Sequence, residues 1–404
     1  MRLIFLSWAF APMPFPRAVQ VERLARAVST WPLEVVCAAT VAGAPHPPFP
    51  VHRIADPARP SPGGLLSRVR AALAVPDRQR GWANLAMHRI ARDLKPGPDD
   101  VLVTFGQPMS DHLAGLALKR QFGCRWIAHF SDPWADNPFA LPLPFVRWRN
   151  RRLERRVIKA ADHVLMTSDE TIDLVMRKYP VAWRGKTSVL PHAFDRSLYP
   201  PRRAATGPIV LRYLGSLYGS RSPLPLLRGV ERLPPALAAN LQIEFVGEAA
   251  PRFVAAAARL ALPPGLVRFL PTIDYPSALA AMRAADLLVQ IDAPAETSVF
   301  LASKLIDYVG ARRPILGVTP AGTARKLIEA LSGWVAEPSA PDRVAAAIEQ
   351  AVAQLDRSRD ADWGDETVRR RYDIATVAEN FRIVVEQVGG GASARHLAPA
   401  VQDA

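Results

Sequence analysis

Short apolar runs alternate with stretches of helical periodicity along almost the whole chain. The run Leu3 to Ser7 precedes a helical stretch from about Arg17 to Val28, and Leu33 to Ala38 is the next run. Apolar runs of this length, separated by helices, are typical of buried strands in a parallel sheet. Comparable runs follow at 101–104, 125–130, 163–166, 187–190, 209–214, 241–246, 266–270, 286–291, 314–318 and 333–336. The sequence therefore predicts an α/β protein.

The alternation occurs twice, on either side of a proline-rich linker at 200–208. Because 404 residues are too many for one compact core, we predict two Rossmann-like domains, at 1–200 and 208–373. A terminal helix is predicted over 374–388, followed by a disordered tail at 389–404.

Residues 41–64 are dense in proline and glycine, so we predict irregular structure there. Helices are predicted next, near 65–74 and 80–94.

The composition limits the classes of function. Cys37 and Cys124 are the only cysteines, so neither a disulfide framework nor a structural zinc site is expected, and a reducing compartment fits. Met1 to Ala11 resembles a short signal peptide, but its apolar part also serves as a first strand. With no apolar run long enough to span a bilayer, we expect a soluble cytoplasmic protein.

The net charge of +14 is concentrated in residues 1–200, which contribute +12. Seven cations lie between Phe145 and Ala160, interspersed with aromatic and aliphatic side chains. A helix of this composition could lie on an anionic membrane surface, or its arginines could simply be solvated. Nucleic acid is a further anionic partner to consider, but no known docking motif accompanies the charge.

The stretch Phe300 to Val318 combines a helix with a following apolar run. Ser303 and Lys304 lie near the helix start, where free backbone amides suit a diphosphate. Asp307 follows one turn later and could accept hydrogen bonds from ribose hydroxyls. The alternative is an amphipathic helix whose Lys304 and Asp307 are merely solvated.

A second feature is the glycine-containing turn Gly215 to Leu224, which follows the run 209–214 and contains Arg221. Such turns are common, so the turn alone is a weak indication. In a parallel sheet, however, it opens on the same edge as Ser303 and Lys304. We therefore expect these cations to converge on one site.

With these features the chain resembles the GT-B glycosyltransferases of family 4. The segments that carry the resemblance are Tyr213 to Pro223, Val267 to Pro271, Ala285 to Val289, Ser303 to Tyr308 with Arg313 to Leu316, and Leu190 to Asp195, joined in the first half by Trp126 to Trp134. The resemblance implies two Rossmann-like domains facing each other across a cleft, with the C-terminal helix returning toward the N-terminal domain. It also implies transfer of a sugar, with retention, from a nucleotide-diphosphate sugar.

Functional residues follow from the resemblance by position. Asp307 matches the acidic residue that binds the donor ribose, and Arg221 and Lys304 match positions that hold the diphosphate. Val299 stands where the family has its first acidic residue, and Glu296 is the nearest substitute. The donor-binding residues implied are Gly215, Arg221, Ile273, Glu296, Ser303, Lys304 and Asp307. Because protein cations can stabilise the leaving diphosphate, no metal and no other cofactor is expected.

Acceptor chemistry is expected in the first domain. His129 and Asp132 are titratable groups at the end of the run 125–130, and we predict that they orient or deprotonate the acceptor hydroxyl. The alternatives are a hydrogen-bonded strand-end histidine and a turn residue before Pro133. Arg17, at the start of the first helix, could hold an acceptor or donor phosphate, or it could be solvated.

These features favour a metal-independent hexosyltransferase that uses a nucleotide sugar and a glycan or lipid-linked acceptor in polysaccharide biosynthesis. The expected location is cytoplasmic, with peripheral attachment to the inner membrane face through 145–160. The alternatives are a GT-B scaffold without catalysis and a basic nucleic-acid-binding protein.

Overall fold

The computed structural model describes residues 1–40, 47–57, 74–140, 143–202 and 206–390. Nearly all of the helix predicted near 65–74, and the tail beyond residue 390, lie outside the described residues. The chain forms two compact units. One contains Met1–Leu190 together with the residues from Ala378 onwards, and the other contains Pro191–Val377.

The first unit is built on a seven-stranded parallel sheet with strand order β3-β2-β1-β4-β5-β6-β7. Four of its five inner strands, β1, β2, β4 and β5, are almost wholly buried, which explains their continuous apolar sequences. The strands are β1 Leu3–Leu6, β2 Leu33–Ala38, β3 Val51–Ile54, β4 Val101–Phe105, β5 Arg125–Phe130, β6 His163–Met166 and β7 Thr187–Val189.

Five α-helices of the described residues connect these strands. They are α1 Pro16–Ala27, α2 Arg80–Arg89, α3 Ser110–Phe122, α4 Pro144–Ala160 and α5 Asp169–Met176. The helix α2 continues as a π-turn to Leu94, where Lys95 adopts a left-handed conformation with φ 44° and ends it.

The strand β3 corrects the prediction of irregular structure at 41–64 for residues 51–54, whereas 41–46 and 58–64 lie outside the described residues. It lies at the edge of the sheet and pairs only with β2, and all four of its residues are half-buried. Because an edge strand need not be continuously apolar, and because prolines precede this one, its sequence gave no strand pattern.

The second unit contains a six-stranded parallel sheet with strand order β10-β9-β8-β11-β13-β15. Its strands are β8 Ile209–Leu214, β9 Leu241–Val246, β10 Val267–Leu270, β11 Leu287–Ile291, β13 Ile315–Val318 and β15 Trp334–Ala336. A separate two-stranded pair is formed by β12 Thr297–Ser298 and β14 Ala321–Gly322. The two parallel sheets confirm the α/β class.

The helices of the second unit pack apolar residues against both faces of its sheet. They are α6 Leu224–Val230, α7 Pro235–Ala238, α8 Pro251–Ala257, α9 Tyr275–Ala284, α10 Ser303–Ala311, α11 Thr323–Ala330, α12 Pro341–Ser358 and α13 Glu366–Arg370. The terminal helix, α14 Ile374–Gly389, lies mostly in the first unit. None of the helices in the described ranges combines the length and the apolar character needed to cross a membrane.

The helix α14 begins in the second unit and continues in the first. Within the first unit, Phe381 packs edge-to-face on Phe5, with ring centroids 5.8 Å apart. Arg382 Nη2 donates a hydrogen bond to the Ala27 carbonyl over 3.0 Å.

The boundary between the units lies earlier than the sequence suggests. The first domain was predicted to end at residue 200, whereas the residues from Pro191 group with the second unit. The Phe194 backbone exchanges hydrogen bonds with Tyr372 and Ile374, over 2.9 Å each. Long-range backbone pairing, which leaves no local sequence signal, fixes this boundary.

Candidate functional site

Two glycines bring the loops of the second sheet into contact at its carboxyl edge. Gly215 follows β8 with φ 123°, and Gly247 follows β9 with φ 130°, both in the region that favours glycine. A Cβ on Gly247 would lie only 2.7 Å from the Gly215 carbonyl oxygen. A Cβ on Gly215 would lie 3.5 Å from Lys304 Cδ, so the two loops meet beside Lys304.

Lys304 lies in the first turn of α10 with its stem half-buried and its amino group fully buried. The Nζ lies 3.7 Å from the centroid of the Tyr213 ring, and no hydrogen-bond partner for it occurs in the described parts of the chain. Burial, and next the charge of Arg221, lower the pKa of Lys304 well below its ordinary value, although Asp292 opposes the shift.

Arg221 shares Tyr213 with Lys304. Its positive charge opposes the rise that burial causes in the pKa of the Tyr213 hydroxyl, and this hydroxyl donates a hydrogen bond to the Ser216 carbonyl over 3.1 Å. The Arg221 Nε is buried and, within the ranges that the structure describes, makes no hydrogen bond. Two cations with unused donors therefore lie around one aromatic ring, as an anion site requires.

The carboxylate of Asp292 provides the local negative charge and is itself well anchored. Its oxygens accept hydrogen bonds from Gln290 Nε2 and Thr319 Oγ1, each over 2.7 Å. All three residues are buried at the ends of β11 and β13. The sequence patterns did not single out Asp292, because a polar residue just after a strand has no distinctive spacing.

Ser303 and Asp307 lie on the same helix as Lys304. The residue before the helix is Ala302, which provides no side-chain cap for the amides of the first turn. Asp307 is buried, and its Oδ1 accepts a hydrogen bond from the Tyr275 hydroxyl over 2.8 Å. The structure therefore brings Gly215, Arg221, Ser303, Lys304 and Asp307 to one edge of the second unit.

The two other predicted donor residues are more exposed. Glu296 is exposed just before β12, whereas Val299 is buried. Val299 thus contributes to packing at the position where the family has an acidic residue. Ile273 lies in the loop between β10 and α9 with 37% of its surface exposed.

In the first unit, Arg17 and His129 are in contact at the carboxyl edge of the sheet. Arg17 is buried in the first turn of α1, and its Nη1 lies 3.3 Å from His129 Nδ1. Because a guanidinium can only donate, Nδ1 accepts, and the proton of a neutral His129 is on Nε2. The alternative of a solvated Arg17 is therefore wrong, because the residue is buried.

Two carboxylates, those of Asp132 and Asp111, act on the charge of Arg17. Burial lowers the pKa of Arg17 to about 10, although the charges of Asp132 and Asp111 oppose this shift. Asp132 itself accepts a hydrogen bond from the Gln107 side-chain amide. Asp111, which the sequence patterns did not indicate, is fully buried and accepts a hydrogen bond from the Trp8 backbone amide over 2.8 Å. Burial raises its pKa well above the ordinary value.

The loop that carries Asp132 is fixed by Glu154 on α4. The Oε2 of this fully buried carboxylate accepts a hydrogen bond from the Ala135 backbone amide over 2.8 Å. Its Oε1 accepts one from the Tyr179 hydroxyl over 2.6 Å and pairs with Lys178 Nζ over 2.7 Å. As for metals, no cluster of three or more His, Cys, Asp or Glu suited to an ion occurs in the part of the chain that the structure describes.

Residues 18–193 match the family model described as the glycosyl transferase 4-like domain. The first half of the chain is thus similar to a glycosyl transferase 4-like domain. It contains Asp111, His129, Asp132 and Glu154, and it begins one residue after Arg17. The family resemblance seen in the sequence rested mainly on the second half, and the match to the first half confirms it independently.

Solved structures extend the likeness to both domains. HepE from Anabaena, in complex with UDP and glucose, is 15% identical and superposes with a TM-score of 0.68 over 96% of this chain and 100% of its own. Sucrose-phosphate synthase from Thermosynechococcus elongatus is 16% identical, with a TM-score of 0.72 over 96% and 99%. A UDP-forming trehalose-phosphate synthase from Burkholderia xenovorans, in complex with glucose-6-phosphate, is 14% identical, with a TM-score of 0.66 over 96% and 100%.

These likenesses confirm the GT-B fold, with the glycosyl transferase 4-like domain as its first domain. No curated protein matches the chain in sequence.

Proposed function

We propose that this protein is a retaining glycosyltransferase that transfers a sugar from a nucleotide-diphosphate sugar to a glycan or lipid-linked acceptor in polysaccharide biosynthesis. The observation that carries the proposal is the pair of cations, Lys304 and Arg221, with unused donors beside one aromatic ring. The structural neighbours with bound UDP, or described as UDP-forming, support a uridine nucleotide as the first donor to test.

The chemistry follows from where charge develops. Cleavage of the bond between the sugar and the diphosphate places negative charge on the leaving group, and Lys304, Arg221 and the uncapped amides of α10 stabilise it. Asp307 binds the ribose hydroxyls, Glu296 contacts the transferred sugar, and Ile273 lies beside the base. Because side-chain cations neutralise the diphosphate, the reaction needs no metal.

In the first domain, we assign the general base to Asp132. The Nδ1 of His129 already accepts a hydrogen bond from Arg17. The ring therefore acts on the acceptor through its Nε2–H, as a hydrogen-bond donor. Arg17 then positions His129 through Nη1, and its Nε and Nη2, which have no hydrogen-bond partner within the described residues, can hold a phosphate of the acceptor or donor.

Calorimetry with UDP-glucose, UDP-galactose and GDP-mannose tests the donor assignment. We expect micromolar binding of one of them, weakened at least about tenfold by Lys304→Ala and by Asp307→Ala, since each removes a charge-assisted hydrogen bond. Arg228→Ala, which removes an exposed arginine from α6, is the control and should bind normally. The proposal fails if no nucleotide sugar binds, or if both site variants bind as the unmodified protein does.

Transfer and metal use need separate assays. We expect the rate of UDP release from the donor that binds to be the same with and without EDTA, if side chains alone neutralise the diphosphate. Donor binding without UDP release, across a panel of glycan and lipid-linked acceptors, would favour a scaffold without catalysis.

We further propose that α4 attaches the protein peripherally to an anionic membrane. Within ten residues, four large apolar side chains are each about half exposed: Phe139 at 46%, Leu143 at 53%, Phe145 at 57% and Trp148 at 54%. Arg149 and Arg152 lie over the Phe145 and Trp148 rings, at 5.4 and 4.8 Å. Apolar side chains among arginines suit the boundary between acyl chains and anionic headgroups.

Liposome flotation tests this attachment. We expect recovery with phosphatidylglycerol vesicles at low salt, and its loss when Phe145 and Trp148 are replaced by serine. Val181→Ser is the control, because Val181 is 86% exposed but lies outside α4. Equal recovery with neutral phosphatidylcholine vesicles, or no effect of the serine replacements, would rule the attachment out.

A further inference from the structure

A cavity of about 350 Å³ lies in the first unit, beside the loop that follows β4. Trp8, Pro76, Pro108 and Met109 supply most of its lining, together with the side chains of Asp77, Gln79 and Gln107. None of these residues belongs to the donor site. A volume of this size and a mostly apolar wall with a few polar groups are typical of a site for a small molecule.

Trp8 is held rigidly in the cavity wall. Its backbone amide donates to Asp111 Oδ2 over 2.8 Å, and its indole Nε1 donates to Asp56 Oδ2 over 2.7 Å. Both N–H donors of Trp8, on the backbone and on the indole, are thus already hydrogen-bonded within the protein. What the half-buried Trp8 offers to the cavity is therefore its fixed aromatic surface.

The carboxylate in the cavity lining is already hydrogen-bonded within the protein. Asp77 accepts hydrogen bonds from the Ser110 hydroxyl over 2.6 Å and from the Ser110 and Gln79 backbone amides over 2.9 and 3.1 Å. This carboxylate caps the start of α3, so both of its oxygens are engaged. No other charged side chain occurs among the described lining residues, so the lining offers no free ionic partner and suits a neutral ligand.

The amide side chains supply directional polarity. Gln107 is exposed at the cavity, and its Nε2 donates to Asp132, the residue to which we assign the general base. The oxygen of that amide can accept from a ligand hydroxyl, and the Gln79 amide can both donate and accept. A ligand seated here therefore lies one side chain away from Asp132.

We propose that this cavity binds a neutral sugar ring of the acceptor, stacked on Trp8 and hydrogen-bonded by Gln79 and Gln107. A pyranose ring has an apolar C–H face that matches the negative face of an indole, and its edge is lined with hydroxyls that match carboxamides. The assignment rests on the proposed function, because it takes the ring to be the acceptor. It makes the acceptor a saccharide, whether free or lipid-linked.

Saturation-transfer NMR on the full chain, without donor, tests the site. The probes are the methyl glycosides of glucose, galactose, mannose and N-acetylglucosamine, with methyl glucuronide as a charged comparison. We expect signal from at least one neutral glycoside, reduced at least fivefold by Trp8→Ala and by Gln79→Ala. Val181→Ala, which changes an 86% exposed residue outside the cavity lining, should leave the signal unchanged.

Two further results keep the test decisive. Trp8→Phe, which keeps an aromatic face, should retain part of the signal even if Trp8→Ala is unstable. Signal from no neutral glycoside, from methyl glucuronide alone, or equally from Trp8→Ala would overturn the saccharide site. Calorimetry with UDP-glucose on the same samples separates this failure from failure of the proposed function, because donor binding does not involve the cavity.

Discussion

Lys304 Nζ lies 3.7 Å from the centroid of the Tyr213 ring and makes no hydrogen bond within the described residues. The charge of Arg221 acts on the hydroxyl of the same Tyr213. A buried amine held by an aromatic face alone is unfavourable for stability, because it has lost its water without gaining a hydrogen bond. Such an arrangement is expected where a bound ligand supplies the missing hydrogen bond.

Replacing Lys304 with methionine should separate stability from binding. Methionine keeps the apolar stem and removes the uncompensated amine, so we expect the free energy of unfolding to rise by about 1–3 kcal/mol. Affinity for the nucleotide sugar should fall at least about tenfold, because the diphosphate loses a cation. Urea unfolding and calorimetry measure the two effects. A Lys304→Met variant that is less stable and binds the donor normally would contradict both the expected gain in stability and the expected loss of affinity.

Donor binding should take up a proton. Burial and Arg221 keep the pKa of Lys304 low in the free protein, and a bound diphosphate would raise it. Between those two pKa values Lys304 is neutral when free and charged when bound, so the affinity falls by up to about tenfold per pH unit as the pH rises. Below the lower pKa, no proton is taken up.

The groups that face Lys304 are Arg221, Asp292 and Tyr213. Calorimetry with UDP-glucose, in buffers of different ionisation enthalpy, counts the protons directly. The unmodified protein should take up close to one, and Lys304→Met should take up none. Equal uptake by both proteins would place the proton elsewhere.

Gly247→Ala should disrupt the donor site through the backbone. Its Cβ would come within 2.7 Å of the Gly215 carbonyl oxygen, so the loop after β8, which lies beside Lys304, has to shift. Gly219→Ala is the matched control, since Gly219 also has a positive φ, at 59°, but its Cβ would meet nothing within 4 Å. We expect about 1–2 kcal/mol of destabilisation from Gly219→Ala and a larger loss, with weaker donor binding, from Gly247→Ala. Equal effects in thermal unfolding and calorimetry would contradict the contact.

Glu154→Ala should destabilise the first domain by about 2–4 kcal/mol, because it leaves the Tyr179 hydroxyl and the Ala135 amide without their partner, while Lys178 keeps its ion pair with Asp136. Asp173→Ala removes an exposed ion pair with Arg184 and should change the free energy of unfolding by less than about 1 kcal/mol. Chemical denaturation of the two variants makes the comparison. A small effect of Glu154→Ala would mean that the loop carrying Asp132 is fixed by other contacts.

The sequence by itself determined the repeated strand and helix order. The runs 209–214 and 241–246 coincide with strands β8 and β9, because continuous burial on both faces requires continuous apolar sequence. The convergence of Arg221 and Lys304 could also be predicted, since parallel strands place their following loops on one edge.

Only the tertiary structure decided which polar atoms meet. No local pattern indicates that Arg17 contacts His129, that Glu154 fixes the loop after β5, or that Asp111 and Asp56 hold Trp8 in place. These pairs join residues far apart in the chain, and each depends on the register and packing of several elements at once. Buried side chains recur along a strand or helix with a period that is visible in the sequence. A hydrogen bond between distant residues depends instead on how several elements are arranged in three dimensions, and no local period encodes that arrangement.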